Sequence, residues 1–134
     1  MFFAVSMLFS PEYYEDHKSL FLQLEDGLYR ADFFAVHYIN SRDIVPIRTR
    51  FLDDADFADW LAERKAQALF DIPLVPDVHD RVLVLTTCVF PEDPDDWRDE
   101  IAAYAVLKKE GGEARAKNIC TFAGDTETHH RRYV

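Results

Sequence analysis

The sequence predicts a mainly β domain with helices (α+β): a mixed, largely antiparallel sheet with one amphipathic helix laid in a connection. Three stretches carry that reading. SLFLQLEDGLYRADFFAVHYI holds two strand-forming runs around Asp26-Gly27. Asp-Gly in that setting is the strongest short hairpin signal, because a type I′ turn needs positive φ at both central positions. RVLVLTTC, residues 81–88, is apolar on both faces over positions 82–85, as a strand central in its sheet must be. DDADFADWLAERKAQALF repeats its apolar residues at helical spacing.

The elements follow in order. Residues 2–9 are apolar and lead into SPEYYEDHK, where Ser10 is placed to cap a short helix with Pro11 at its first position. In the first hairpin strand Leu20, Leu22 and Leu24 alternate with Phe21, Gln23 and Glu25. NSRDIVPIRTRFL reads as an irregular connection with a short extended piece. The helix then takes Asp54 as its N-cap, with acidic residues in the first turn where the macrodipole favours them. Phe57, Trp60, Leu61, Ala68 and Leu69 fall largely on one face, and that aromatic stripe is a core face. DIPLVPDVHD, with two prolines, is a loop into strand 81–88. PEDPDD is a turn, and IAAYAVLKK the last strand. From Glu110 onward the chain has Gly-Gly, scattered charge and no periodicity, so 1–109 is expected as the domain and 110–134 as a loosely attached tail.

Composition narrows the function classes. A chain of 134 residues suffices for one domain with a real core. A net charge of −10 repels nucleic acid and anionic membranes, so neither is expected as a partner. Cys88 and Cys120 make no disulfide framework, no zinc-type spacing is present, and the adjacent His129 and His130 are poorly spaced for one metal. No metal and no cofactor is expected. The acidic turn Glu92-Asp93-Pro94-Asp95-Asp96 offers calcium clustered carboxylates, but without EF-hand spacing a solvated turn is the simpler reading. The opening MFFAVSMLFSPEYYEDH is apolar only through Phe9, with no basic residue ahead of it, so neither a signal peptide nor a membrane anchor is expected.

Cys88 raises the chemical question. Cysteine packs well as a small hydrophobe, and finishing a core strand is one role for it. Three features point instead to chemistry. The thiol sits where a strand gives way to a polar loop. Thr86 and Thr87 precede it, with hydroxyls able to bond near a reacting carbonyl or to satisfy backbone. Arg98 follows ten residues later beside Trp97, and a guanidinium favours a thiolate and stabilises an oxyanion.

Leu85-Thr86-Thr87-Cys88 at a strand end, followed by an arginine before the next strand, resembles the cysteine motif of the sortases, the class B enzymes most closely. The likeness extends over residues 1–109. MFFAVSMLFSPEYYEDHKSLFLQLEDGLYRADFFAVHYIN is similar to the class B succession of short helix, strand, tight turn and strand. DDADFADWLAERKAQALFD is similar to the helix those enzymes carry before the cysteine strand, and AAYAVLKK to the closing barrel strand.

The resemblance implies a partial sortase-like β-barrel, the C-terminal portion of a cysteine transpeptidase domain acting at the cell surface. Its partners would be the sorting-signal peptide of a secreted protein and a cell-wall amine acceptor. By resemblance Cys88 is the nucleophile that forms the thioacyl intermediate, Arg98 the arginine, and Thr86 and Thr87 line the substrate. Counting back from Leu107 places Glu100 nearer the family's arginine position, whereas counting forward from Cys88 favours Arg98. The family's histidine belongs to a Gly-His-Asn element upstream of the first matched helix, and none of His17, His37 and His79 occupies it. The expectation is a truncated domain with little or no transpeptidase activity and open strand edges available for self-association. The alternative is a non-catalytic, sortase-like binding domain in which Cys88 is structural.

Overall fold

The computed structural model describes residues 3–110, together with the backbone of 119–123 and 131–133. The histidine pair 129–130 lies outside the described residues. Six strands form one curled sheet, a half-barrel: β1 (Ser19–Leu24), β2 (Gly27–Ile39), β3 (Arg81–Cys88), β4 (Glu100–Lys109), β5 (Ile119–Ala123) and β6 (Arg131–Tyr133). Their spatial order is β1-β2-β4-β3-β5-β6, and every pairing is antiparallel except β3 with β5. Short helices α1 (Phe3–Ser6) and α2 (Pro11–Asp16) precede the sheet, and α3 (Asp54–Ala66) fills the connection from β2 to β3. The expected α+β class and the helix before the cysteine strand are both present.

Local chemistry accounts for most element ends. Ser10 caps α2 as expected, its Oγ accepting the Tyr13 N–H at 3.4 Å with Pro11 in the first turn. The β1–β2 hairpin forms, but its turn is not type I′. Glu25 and Asp26 are the turn residues, Leu24 pairs with Gly27, and among the described residues only Gly27 takes a positive φ, at 140°. The glycine alone absorbs the closure, while the Asp26 carboxylate accepts the Tyr29 hydroxyl at 2.6 Å. The N-cap of α3 is Asp53 rather than Asp54, its carboxylate accepting the Asp56 N–H at 2.8 Å. The expected extended piece before α3 is a 3₁₀ turn, Val45–Ile47.

The helix stops at Ala66, so Ala68 and Leu69 lie beyond it. Lys65 bends the chain back by donating to the carbonyls of Ile72 and Leu74 at 2.6 and 2.8 Å. Leu69 is largely exposed, and its N–H donates to Val36 O at 2.9 Å, covering the β2 edge beyond β1.

Both sheet faces are buried. Leu83, Leu85, Ile101, Ala103, Ala105 and Leu107 face the N-terminal helices through Val5, Leu8 and Tyr14. Val82, Val84, Ala102, Tyr104 and Val106 face Phe57, Trp60 and Leu61 of α3. Each large apolar side chain removed from water stabilises the fold by roughly 1.5–3 kcal/mol. Alanines at 102, 103 and 105 let both layers approach the sheet closely. The register of β2 on β4 shifts between Phe33 and Ala35, and this bulge inverts the phase of the strand. Ala31 and Phe33 lie on the N-terminal-helix face, whereas Ala35 and Ile39 lie on the α3 face.

IAAYAVLKK is not the last strand. Within the segment expected as a loose tail, β5 pairs in parallel with β3 from Val82↔Ile119 to Thr86↔Ala123, and β6 pairs with β5. The cysteine strand is therefore flanked on both sides, and the sheet edges are β1 and β6 among the described residues.

A Cβ built on Gly27 stands 2.9 Å from Lys109 Cε, and the backbone there suits no L side chain. Gly27→Ala should cost about 1–3 kcal/mol in urea unfolding. Lys109→Ala added to it should restore only a minor part, because backbone strain and not the side-chain contact dominates.

Candidate functional site

The site grows from the end of the β3–β4 ladder. The strands pair in unbroken register from Arg81↔Leu107 to Cys88↔Glu100. One step further, Val89 N–H donates to Asp99 O at 2.9 Å. Antiparallel pairs alternate in type, so Val89·Asp99 is a hydrogen-bonded pair and Cys88·Glu100 a non-hydrogen-bonded one. In such a pair the Cβ atoms stand roughly 4.5–5.5 Å apart and the side chains are nearest neighbours. Alternation puts Thr86 and Cys88 on the α3 face with Val82 and Val84, and Thr87 on the opposite face with Leu85. Cys88 is exposed, whereas Thr86 and Thr87 are both buried. The two threonines thus stand behind the thiol, and only Thr86 shares its face.

Arg98 is not on β4 but in the loop two residues before it. Its guanidinium clasps Asp96 through Nε to Oδ1 at 2.9 Å and Nη2 to Oδ2 at 2.7 Å, and lies 5.6 Å from the Tyr38 ring centre. That bidentate pair holds the Asp96 carboxyl down at about 2 and occupies the arginine's fork. Opposite the thiol stands Glu100, half-buried, its carboxyl raised by desolvation and then by the nearby Asp99 charge. Asp99 is in turn lowered by bonds from the Ser41 hydroxyl and N–H at 2.6 and 2.7 Å. The position facing Cys88 thus holds a glutamate, and Arg98 lies outside the ladder.

No histidine stands beside the thiol among the described residues. His17 is stacked on Tyr13 at the start of β1, and His79 lies in the loop at the opposite end of β3. His37 is nearest by register: it pairs with Ala102, itself paired with Thr86. Two strand spacings across and two residues along put it about 12 Å from Cys88 between Cα atoms. Its Nδ1 donates to Tyr38 O at 3.1 Å, which leaves Nε2 the acceptor, and its ring stacks on Tyr104 at 5.0 Å. A cleft of about 520 Å³ opens beside it, lined by His37, Asp43, Gln67, Trp97 and Arg98. Behind it Arg64, fully buried, spreads over the Trp60 ring at 5.7 Å. No hydrophobic pattern announces a buried arginine on a helix, and the sequence carried no signal for it.

The acidic turn is committed to its own loop: Asp93 Oδ1 accepts the Asp95 N–H at 2.9 Å, and Asp96 holds Arg98. No group of three potential ligands able to hold a metal occurs among the described residues. No described helix is long and apolar enough to cross a membrane.

No protein-family model matches the chain. Sortase B of Staphylococcus aureus is 28% identical over 88 residues, and sortase B of Listeria monocytogenes 33% identical over 86. These matches span 66% and 63% of this chain and 36% and 35% of those proteins. The crystal structure of the Staphylococcus aureus enzyme superposes on 81% of the chain with a TM-score of 0.69 at 26% identity, and its substrate complex on 83% with 0.72 at 25%. The chain is similar in sequence and fold to the class B sortases. It spans half the length of those solved chains and about a third of the curated relatives. The class B likeness embraces the half-barrel, and within it the sequence-predicted nucleophile is exposed while its predicted arginine is engaged elsewhere.

Burial and the Arg64 charge hold the His37 imidazole below its usual range. Unfolded, this group binds a proton near pH 6.5 that the folded chain refuses. Its contribution to stability is therefore complete above pH 6.5 and lost as pH falls toward the folded value. Arg64 lies behind the ring, Asp43 faces it across the cleft, and the stacked Tyr104 stays neutral. Asp56 and Asp96, both lowered by arginines, lose their charge only in stronger acid. The urea midpoint should fall between pH 7 and 5.5, and His37→Gln should flatten that fall.

Proposed function

We propose that this chain carries the thiol-bearing part of a sortase-type cysteine transpeptidase, with Cys88 as the nucleophile. The observation behind this reading is an exposed thiol at the end of β3, adjoining a loop, in a fold related to the class B sortases. The Cys88 thiolate would attack the carbonyl of a sorting-signal peptide, the peptide amine would leave with a proton, and an incoming amine would release the acyl group. The Staphylococcus aureus enzyme has been solved as a substrate complex, and a sortase B has been solved with triglycine. Those complexes suggest a peptide donor and a glycine-type acceptor at the cell surface here as well. Thr86 would support the strand end beneath the substrate, and Arg98 would bind it only after releasing Asp96.

The chain should turn over slowly or not at all, because the nearest described histidine lies about 12 Å from the thiol by strand geometry. A second reading, a non-catalytic sortase-like binding domain, draws support from Glu100 facing Cys88 and from the Arg98–Asp96 clasp. Incubation with a fluorogenic sorting-signal peptide and triglycine separates them. The transpeptidase reading expects a thioacyl adduct on Cys88, detectable by mass and absent in Cys88→Ala, with at most trace turnover. Peptide binding that is unchanged in Cys88→Ala and leaves no adduct would favour the binding domain.

A further inference from the structure

The register of β3 on β4 sets one charged group against the thiol. Glu100 is the direct cross-strand neighbour of Cys88 in a non-hydrogen-bonded pair, on the same sheet face, and Ile39 flanks Glu100 on its other side. Arg98, two residues before Glu100, is bound through Nε and Nη2 of its guanidinium to Asp96. Asp99, next along the chain before β4, adds a second carboxylate, fixed by Ser41. Among the described residues, β4 and the residue before it thus bring two carboxylates to the side where β4 meets the thiol.

We propose that Glu100 makes the Cys88 site selective for a substrate carrying a cationic group beside the atom the thiol attacks, and holds the thiol protonated until such a group arrives. The inference rests on the reading of Cys88 as a reactive thiol and adds the substrate's charge to it. The physics is direct. A thiolate whose direct cross-strand neighbour is a carboxylate, with Cβ atoms roughly 5 Å apart, is disfavoured by like-charge repulsion, so the neutral thiol persists to higher pH. A lysine, an arginine or an ammonium group entering between them turns that repulsion into attraction on both sides. The arriving substrate then supplies the positive charge that the Arg98–Asp96 clasp withholds. Glu100 acts here through Cys88 and is a positioning residue.

Two methanethiosulfonates of equal size, one with a trimethylammonium and one with a sulfonate head, test this on the full chain with Cys120→Ser, so that only Cys88 reacts. In each case the thiolate attacks the reagent's thiol sulfur, a mixed disulfide forms and methanesulfinate leaves. The cationic reagent should react faster, and Glu100→Gln should cut the cation-to-anion rate ratio about three- to tenfold, the range expected for one charge near 5 Å at a half-exposed site. The same variant should lower the pH midpoint of the reaction by about half to one unit, and 1 M salt should shrink both effects. Glu25→Gln, the same charge change in the β1–β2 turn at the far end of the sheet, should leave the ratio within about twofold, as expected for a screened distant charge. A ratio and midpoint unchanged in Glu100→Gln, in a protein that still unfolds at the wild-type urea midpoint, overturn the inference alone. A Cys88 inert to both reagents in every variant overturns the nucleophile reading as well.

Discussion

The antiparallel ladder between β3 and β4 is the constraint on which the rest of this molecule depends. It joins the two most deeply buried strands, and its register decides both cores at once. Because side chains alternate with period two, a slip of one residue would send Val82 and Val84 toward the N-terminal helices and Leu83 and Leu85 toward α3. The layers are not interchangeable. Small residues at 102, 103 and 105 leave room on both faces, and Tyr104 locks one of them by donating its hydroxyl to Pro46 O at 2.9 Å. Burial pushes that phenol well above its usual range, so it remains a donor at any ordinary pH. The same register, followed to its end, decides which residue meets the thiol.

That end is where family likeness and local chemistry part. The half-barrel matches the class B sortase fold. The charges around the thiol are this chain's own. A reactive thiolate calls for a neighbouring cation, and here the guanidinium is spent on Asp96 while a half-buried carboxyl stands opposite. A solved structure at 26% identity shares the course of the backbone, and the charge facing the thiol is read from this chain alone.

Much of this was legible in the residues. Asp-Gly between alternating runs announced the hairpin, the two-faced apolar run announced the central strand, and Phe57, Trp60 and Leu61 announced the buried face of α3. Each of these signals is local, carried by periodicity or turn chemistry. What the residues concealed depends on pairing. The β2 bulge between Phe33 and Ala35 leaves no mark in an apolar run, because both phases of the run are hydrophobic. β5 has too little alternation to read as a strand, and its partner β3 lies over thirty residues upstream. Arg64 is buried by packing on Trp60, against every compositional expectation. Cys88 was legible as a strand-end thiol, but that Glu100 and not Arg98 pairs with it needed the register.

The central claim is that register, with Glu100 and not Arg98 across from Cys88, and a cross-strand disulfide tests it most directly. A non-hydrogen-bonded antiparallel pair brings Cα atoms to about 4.5 Å, within the span a disulfide bridges. In a Cys120→Ser background, Glu100→Cys should oxidise in air to an intrachain disulfide with residue 88, found by mass in a tryptic digest, and Arg98→Cys should stay reduced there. Crosslinking through position 98 with position 100 left reduced would contradict the account.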